Sequence, residues 1–83
     1  MVLVTREVFV DTLYKLDEMN LIYTSLYFKY KVDGILCETS IINTSYGVAR
    51  VDSFYQPDGV VNIFSFDISL VRNMKGLGDK LAS

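Results

Sequence analysis

Residues 22–42 read IYTSLYFKYKVDGILCETSII, two runs of strand-forming residues on either side of one Asp-Gly pair. Valine, isoleucine, threonine, tyrosine and phenylalanine are enriched in strands, and both runs alternate between apolar and polar positions. Asp33-Gly34 is the strongest short hairpin signal, because a two-residue type I′ turn needs a positive φ at both central positions. The stretch therefore predicts a β-hairpin with strands over about 22–32 and 35–42.

A two-residue turn also fixes which residues of the two strands lie opposite each other. Counting outward from Val32 and Ile35 places Tyr30 opposite Cys37, Phe28 opposite Thr39 and Leu26 opposite Ile41. On the other side of the hairpin, the same count places Lys29 opposite Glu38. This pair of opposite charges is independent of the turn and so supports the register.

Residues before the hairpin have helical spacing. Thr5 is a suitable N-cap, and Phe9, Leu13 and Leu16 recur at positions that share one helix face. Asn20 is a reasonable stop for a helix. The pattern predicts a helix over residues 5–19.

Residues after the hairpin alternate between turn signals and strand-forming runs. The polar turn at 43–45 leads to a strand over about 46–55, and Gln56-Pro57-Asp58-Gly59 is a tight turn into a strand over about 60–68. Ser69 or Asp67 can cap a short helix over about 69–75, and residues 78–83 form a tail. We predict one α+β domain over residues 1–83: a four-stranded antiparallel meander with an N-terminal helix and a short C-terminal helix (α-β-β-β-β-α), both helices on one face.

Composition narrows the chemistry that the chain can perform. The 83 residues are 51% hydrophobic and contain one cysteine, Cys37, and no histidine. A single cysteine cannot close an intramolecular disulfide, and the lack of histidine removes the commonest general base and the usual zinc ligands. We therefore expect no catalytic residues, no metal site, no cofactor and no enzymatic activity, with Cys37 as a buried thiol.

The first seven residues do not resemble a signal peptide, because they lack a basic region followed by an apolar one. We expect a cytoplasmic protein. The net charge of −2 argues against a general polyanion binder.

Apolar residues are more abundant than one buried sheet face requires. If Leu26, Phe28, Tyr30 and Val32 face the helices, the opposite face carries a second apolar group. Contiguous exposed patches of this kind mark interfaces, in which tyrosine is enriched. The predicted interface residues are Tyr23, Tyr27, Leu36, Ile42, Phe54, Val61 and Ile63.

A second hypothesis uses the same strand differently. Tyr27, Lys29 and Lys31 point to one side, so bases could stack on the ring while the lysines contact phosphate, as in sheet-face readers of single-stranded nucleic acid. The acidic total and the Lys29–Glu38 pair argue against this alternative.

The first hypothesis is therefore a small non-enzymatic protein-interaction domain that regulates or inhibits a protein partner, as a homodimer without disulfide or metal. Its partners are a second copy of the chain and an unidentified protein.

Overall fold

The computed structural model describes residues 1–82 and arranges them in two layers, one of strands and one of helices. The sheet contains β1 (Val2–Val4), β2 (Ile22–Val32), β3 (Ile35–Thr44), β4 (Gly47–Gln56) and β5 (Gly59–Phe66). The helices are α1 (Arg6–Glu18), α2 (Ile68–Asn73) and α3 (Leu77–Ala82). All paired strands are antiparallel in the order β1-β5-β4-β3-β2, so β4 is the central strand. The predicted α+β class is confirmed.

The β2–β3 hairpin has the predicted register. Val32 pairs with Ile35, and Lys29 pairs with Glu38. The φ angles of Asp33 (50°) and Gly34 (80°) are both positive, as a type I′ turn requires. Local turn chemistry is therefore sufficient to set this pairing. A bulge interrupts the ladder only near its far end, between Ile22 and Thr24.

The sequence leaves the register of the β4–β5 hairpin open, and the structure defines it. Tyr55 pairs with Val60, and Ala49 pairs with Phe66. Pro57 and Asp58 form the turn, since Gln56 already pairs with Gly59. The strand that was predicted to run to residue 68 ends at Phe66, because Asp67 caps the next helix.

Two short elements, β1 and α3, were not predicted. Because of β1, the sheet has five strands rather than the predicted four. β1 pairs with β5, Val2 opposite Phe66 and Val4 opposite Phe64. Three residues are too few to show an alternating pattern, so only the long-range pairing identifies them as a strand. The predicted tail over 78–83 is also wrong, because the residues as far as Ala82 belong to α3. Ser83 lies outside the described residues.

Side-chain caps begin the first two helices. The Thr5 hydroxyl accepts a hydrogen bond from the Val8 amide at 3.2 Å, as predicted. Of the two candidates for the C-terminal helix, Asp67 is the cap, and its carboxylate accepts from the Leu70 amide at 2.8 Å. The helix begins at Ile68 and ends at Asn73, two residues short of the predicted end.

The helices lie on one side of the sheet, as predicted, but on the opposite side from the one expected. The core joins α1 and α2 to the centre of the sheet; its buried residues are Phe9, Leu16, Ala49, Phe66, Leu70 and Leu77. Ala49 pairs with Ile42 on β3, and Ile42 packs against this core. The helices therefore cover the face of Ile42, and not that of Leu26 and Phe28. We call the covered face the helix side.

Alternation alone could not make this choice, because both faces of the hairpin are apolar. The choice depends on the β3–β4 register and on the small residues Gly47 and Ala49, which let the helices approach β4. A β-carbon on Gly47 would lie 2.2 Å from Asp67 Oδ1 and 2.6 Å from the Leu70 nitrogen. The close packing of α2 against β4 thus requires glycine at this position.

We expect Gly34→Val to destabilise the fold by about 1–2 kcal/mol or more, because a β-branched residue resists a positive φ. Nothing lies within 4 Å of a β-carbon built on Gly34, so the cost comes from the backbone alone. Gly34→Asn is the control, since asparagine tolerates this conformation. Urea unfolding of both variants measures the difference; equal stability of wild type and Gly34→Val would contradict the turn assignment.

We expect Gly47→Ala to destabilise the fold more strongly, by about 2–4 kcal/mol, from backbone strain together with loss of the Asp67 cap. Gly59→Ala is the matched control. Gly59 also has a large positive φ (152°, against 147° for Gly47), but nothing lies within 4 Å of its added β-carbon. Thermal unfolding of the two variants separates the effect of the steric clash from that of backbone strain. Equal losses of stability would show that the contact between α2 and β4 tolerates a methyl group.

Candidate functional site

The face of the sheet opposite the helices is the candidate site. No helix of residues 1–82 lies over it, and we call it the open face. Strand pairing aligns its residues in rows across the sheet. Its apolar members are Leu3, Leu26, Phe28, Tyr30, Val32, Ile35, Cys37, Ile41, Val48, Phe54, Val61 and Ile63, and its polar centre consists of Thr39, Arg50 and Asp52.

Large apolar side chains on the open face are exposed to an unusual degree. Leu26 and Val32 on β2 each expose 51% of their surface, Phe28 exposes 48%, and Val61 on β5 exposes 45%. Single exposed apolar residues are normal on protein surfaces, but here they form two groups, one along β2 and one on β5 and β1, on either side of the less exposed residues of β3 and β4. Such a surface is typical of an interaction site.

A chain of polar contacts lies at the middle of the open face. The Tyr30 hydroxyl is 2.8 Å from the Thr39 hydroxyl, which donates to Asp52 Oδ1 at 2.8 Å. Since the Thr39 hydrogen is used on Asp52, Tyr30 is the donor to Thr39. Arg50 closes the chain from the other side, with Nε donating to Oδ2 at 2.8 Å and Nη2 donating to Oδ1 at 2.9 Å.

These contacts hold Asp52 ionised within a largely apolar surface. Burial of the Asp52 carboxyl opposes ionisation, but hydrogen bonds from Arg50 and Thr39 outweigh burial and lower its pKa below the ordinary value of 3.8. The hydrogen bond with Asp52 in turn raises the pKa of Arg50. Arg50 uses two of its five N–H donors on Asp52, and its side chain is 41% exposed. The remaining donors are available to a bound group.

A shallow cleft of about 580 Å³ borders this centre on the β2 side. The open-face residues that line it are Phe28, Tyr30, Thr39, Ile41 and Arg50; Tyr27 and Lys29, whose side chains lie on the other side of β2, also border it. Its mixture of apolar walls and a few fixed polar groups suits a side chain of a partner protein.

The seven predicted interface residues do not lie on one face. Phe54, Val61 and Ile63 lie on the open face. Tyr27, Leu36 and Ile42 lie on the helix side, and Tyr23 lies at the bulge, where its hydroxyl accepts from Ser45 at 2.6 Å. Ile42 is the clearest correction, because it packs against the helical core.

The three residues of the nucleic-acid hypothesis do lie together. Tyr27, Lys29 and Lys31 share the helix side of β2. A hydrogen bond from the Tyr27 hydroxyl to Glu38, together with the nearby negative charge, raises the pKa of Tyr27 to about 12. Hydrogen bonds from Tyr27 and Tyr55 lower the pKa of Glu38. An ionised carboxylate thus lies beside this platform, and its use for nucleic acid stays a prediction.

Sequence reasoning missed the open face because it assigned Leu26, Phe28, Tyr30 and Val32 to the core. It also gave no role to the Arg50–Asp52 pair, in which the Asp52 side chain is only 14% exposed. A usable signal was present, since Arg50 and Asp52 are two residues apart and so share one side of a strand. Cys37 is buried as predicted, at 1% exposure.

Other site types receive no support from the described residues. Within residues 1–82, no three acidic or cysteine side chains are grouped so that they could hold a metal ion. None of the helices in that range has the length and apolar character needed to cross a membrane. Comparison of the chain with family models, with curated proteins and with solved structures finds no match.

We expect Thr39→Val to raise the pKa of Asp52 and to cost about 1–3 kcal/mol of stability at neutral pH, because it removes a buried hydrogen bond to a charged group. A carboxyl whose pKa is depressed in the folded state stabilises the fold at pH values above its ordinary pKa. This contribution is lost as the pH falls through the folded-state pKa. Acid unfolding of Thr39→Val should therefore begin at a higher pH than that of wild type.

The measurement is an NMR titration of the Asp52 carboxyl combined with urea unfolding at several pH values. Thr24→Val is the control, since the Thr24 hydroxyl accepts from Asn43 at the surface and its loss should cost within about 0.5 kcal/mol. An unchanged Asp52 pKa in Thr39→Val would exclude Thr39 as a support of the charge.

Proposed function

We propose that this chain is a non-enzymatic protein-interaction domain that forms a homodimer through its open face and, in that form, regulates or inhibits a protein partner. The observation that carries the proposal is that two groups of exposed apolar side chains, on β2 and on β5, flank the Arg50–Asp52 pair. The occupant that this surface fits best is a second copy of itself, for two reasons, area and charge.

Area is the first reason. The accessible surface is 5595 Å², whereas a monomer of 9.4 kDa is expected to expose about 5000 Å². Strands lie about 4.8 Å apart and rise about 3.3 Å per residue, so a face of four strands and eight residues covers roughly 500 Å² in projection. Side-chain relief increases that figure toward the roughly 800 Å² per partner of a standard interface. The open face is thus large enough for a stable dimer.

Charge is the second reason. Arg50 and Asp52 follow each other on the same side of β4, the central strand. A two-fold axis lying between two sheets and crossing β4 at Val51 would bring Arg50 of one copy over Asp52 of the other. Each guanidinium would then find an acceptor for its remaining donors, so the charged centre is complementary to itself. The surrounding aromatic and aliphatic side chains would interdigitate about 10 Å apart, as in a β-sandwich.

We expect Val61→Asp to convert the dimer to monomer, because it places a charge in the apolar part of the proposed interface. Val60→Asp is a closely matched control: Val60 is the next residue of β5, its exposure is 51% against 45% for Val61, and it points to the helix side. Sedimentation equilibrium over the micromolar range measures the mass of each variant, and circular dichroism checks that both are folded.

The expected result is a dimer for wild type and for Val60→Asp, with at least a tenfold weaker association for Val61→Asp. A wild-type protein that stays monomeric at high micromolar concentration would overturn the homodimer. Equal weakening by the two variants would move the contact away from the open face.

A further inference from the structure

Strand β2 has a free edge along its whole length. It runs for 11 residues and, within residues 1–82, its hydrogen-bonded neighbour is β3 alone. Every other amide and carbonyl of β2 therefore points away from the sheet, ready to pair with another strand. This edge lies at the side of the sheet and would stay accessible when two open faces pack together.

Proteins usually protect such an edge, and β2 is poorly protected. It contains no proline, and its bulge is confined to the start of the strand, between Ile22 and Thr24. At the other edge of the sheet, β1 has three residues only. The features of β2 that could block another strand are Lys29 and Lys31. A purely protective role for these lysines predicts that no strand of any sequence binds here.

The two sides of β2 differ in chemistry. Leu26, Phe28, Tyr30 and Val32 alternate toward the open face, and the two lysines point to the helix side. β2 contains no acidic residue. Lys29 lies across from Glu38, but Lys31 lies across from the apolar Leu36, so β3 offers it no opposite charge at the paired position.

Charge decides between two possible occupants of the edge. Antiparallel pairing of β2 with β2 of a second copy would bring four lysines to one side of the combined sheet, which is unfavourable. A strand with acidic residues at alternate positions would instead match the lysines, whose spacing of two residues is the repeat of one side of a strand. Its other side would need apolar residues to continue the row of Leu26, Phe28 and Tyr30.

We propose that the β2 edge binds an extended segment of a protein partner in which acidic residues alternate with apolar ones. The segment adds a sixth strand beside β2, with its carboxylates near Lys29 and Lys31 and its apolar side chains in line with the open face. Backbone pairing supplies much of the affinity, and the lysines select the sequence. This inference does not depend on the homodimer.

The test uses labelled nine-residue peptides of alternating valine and glutamate, with alternating valine and lysine as the comparison. A third peptide carries N-methyl groups on alternate amides, which removes the backbone donors that β2 would use. Fluorescence anisotropy measures binding, and amide chemical shifts of the full chain identify the strand that is contacted. The mass of each sample, measured in parallel, reports on the dimer separately from the peptide.

The protein variants exchange the charge of the edge. Lys29→Glu/Lys31→Glu should weaken binding of the glutamate peptide by at least about tenfold and should transfer the preference to the lysine peptide. Arg6→Glu/Lys75→Glu changes the net charge equally at two exposed positions away from β2 and should leave the preference intact.

The expected result is binding of the glutamate peptide, loss of binding on N-methylation, and shifts confined to β2 and its neighbour. Equal binding of glutamate and lysine peptides, shifts centred on β4 and β5, or no binding at millimolar peptide would each overturn the proposal. The last of these outcomes would assign Lys29 and Lys31 to edge protection.

Discussion

The close contact between α2 and the start of β4 is the constraint on which the rest of the arrangement depends. Gly47 has no side chain because Asp67 and the Leu70 amide occupy the space that a β-carbon would need. Leu70 then reaches Ala49 and Phe66 and joins them to Phe9 of α1. This one contact between α2 and β4 brings the helices onto one face of the sheet. The other face, which is also rich in apolar side chains, stays open.

The parts of the fold that depend on local interactions could be predicted from the sequence. A type I′ turn and a proline turn set the two hairpins, and the register that follows from Asp33-Gly34 is the one observed. The register of β4 with β5 is known from the structure alone. The choice of buried face was wrong because it depends on how β3 meets β4, and on a helix that approaches from a distant part of the chain. β1 was not predicted for the same reason, because its three residues form a strand only by pairing with the distant β5.

The open face combines two properties that are usually separated. Its rim is apolar and favours removal from water, whereas the charge of Asp52 at its centre is paired with Arg50 and its carboxylate also accepts a hydrogen bond from Thr39. A buried carboxylate with its partners in place loses less on desolvation than an isolated one. The polar centre can therefore be covered by another protein at modest cost, and it fixes the orientation of whatever covers it.

The pairing of β1 with β5 has a consequence for the order in which the molecule assembles. The contacts from β2 to β5 join neighbours along the chain, whereas Val2 meets Phe66 from the opposite end of the domain. Closing so long a loop costs chain entropy that is recovered only after β5 is in place. We therefore expect β1 to be the last strand to add and the first to detach. Until β1 pairs with it, the edge of β5 is open to another strand.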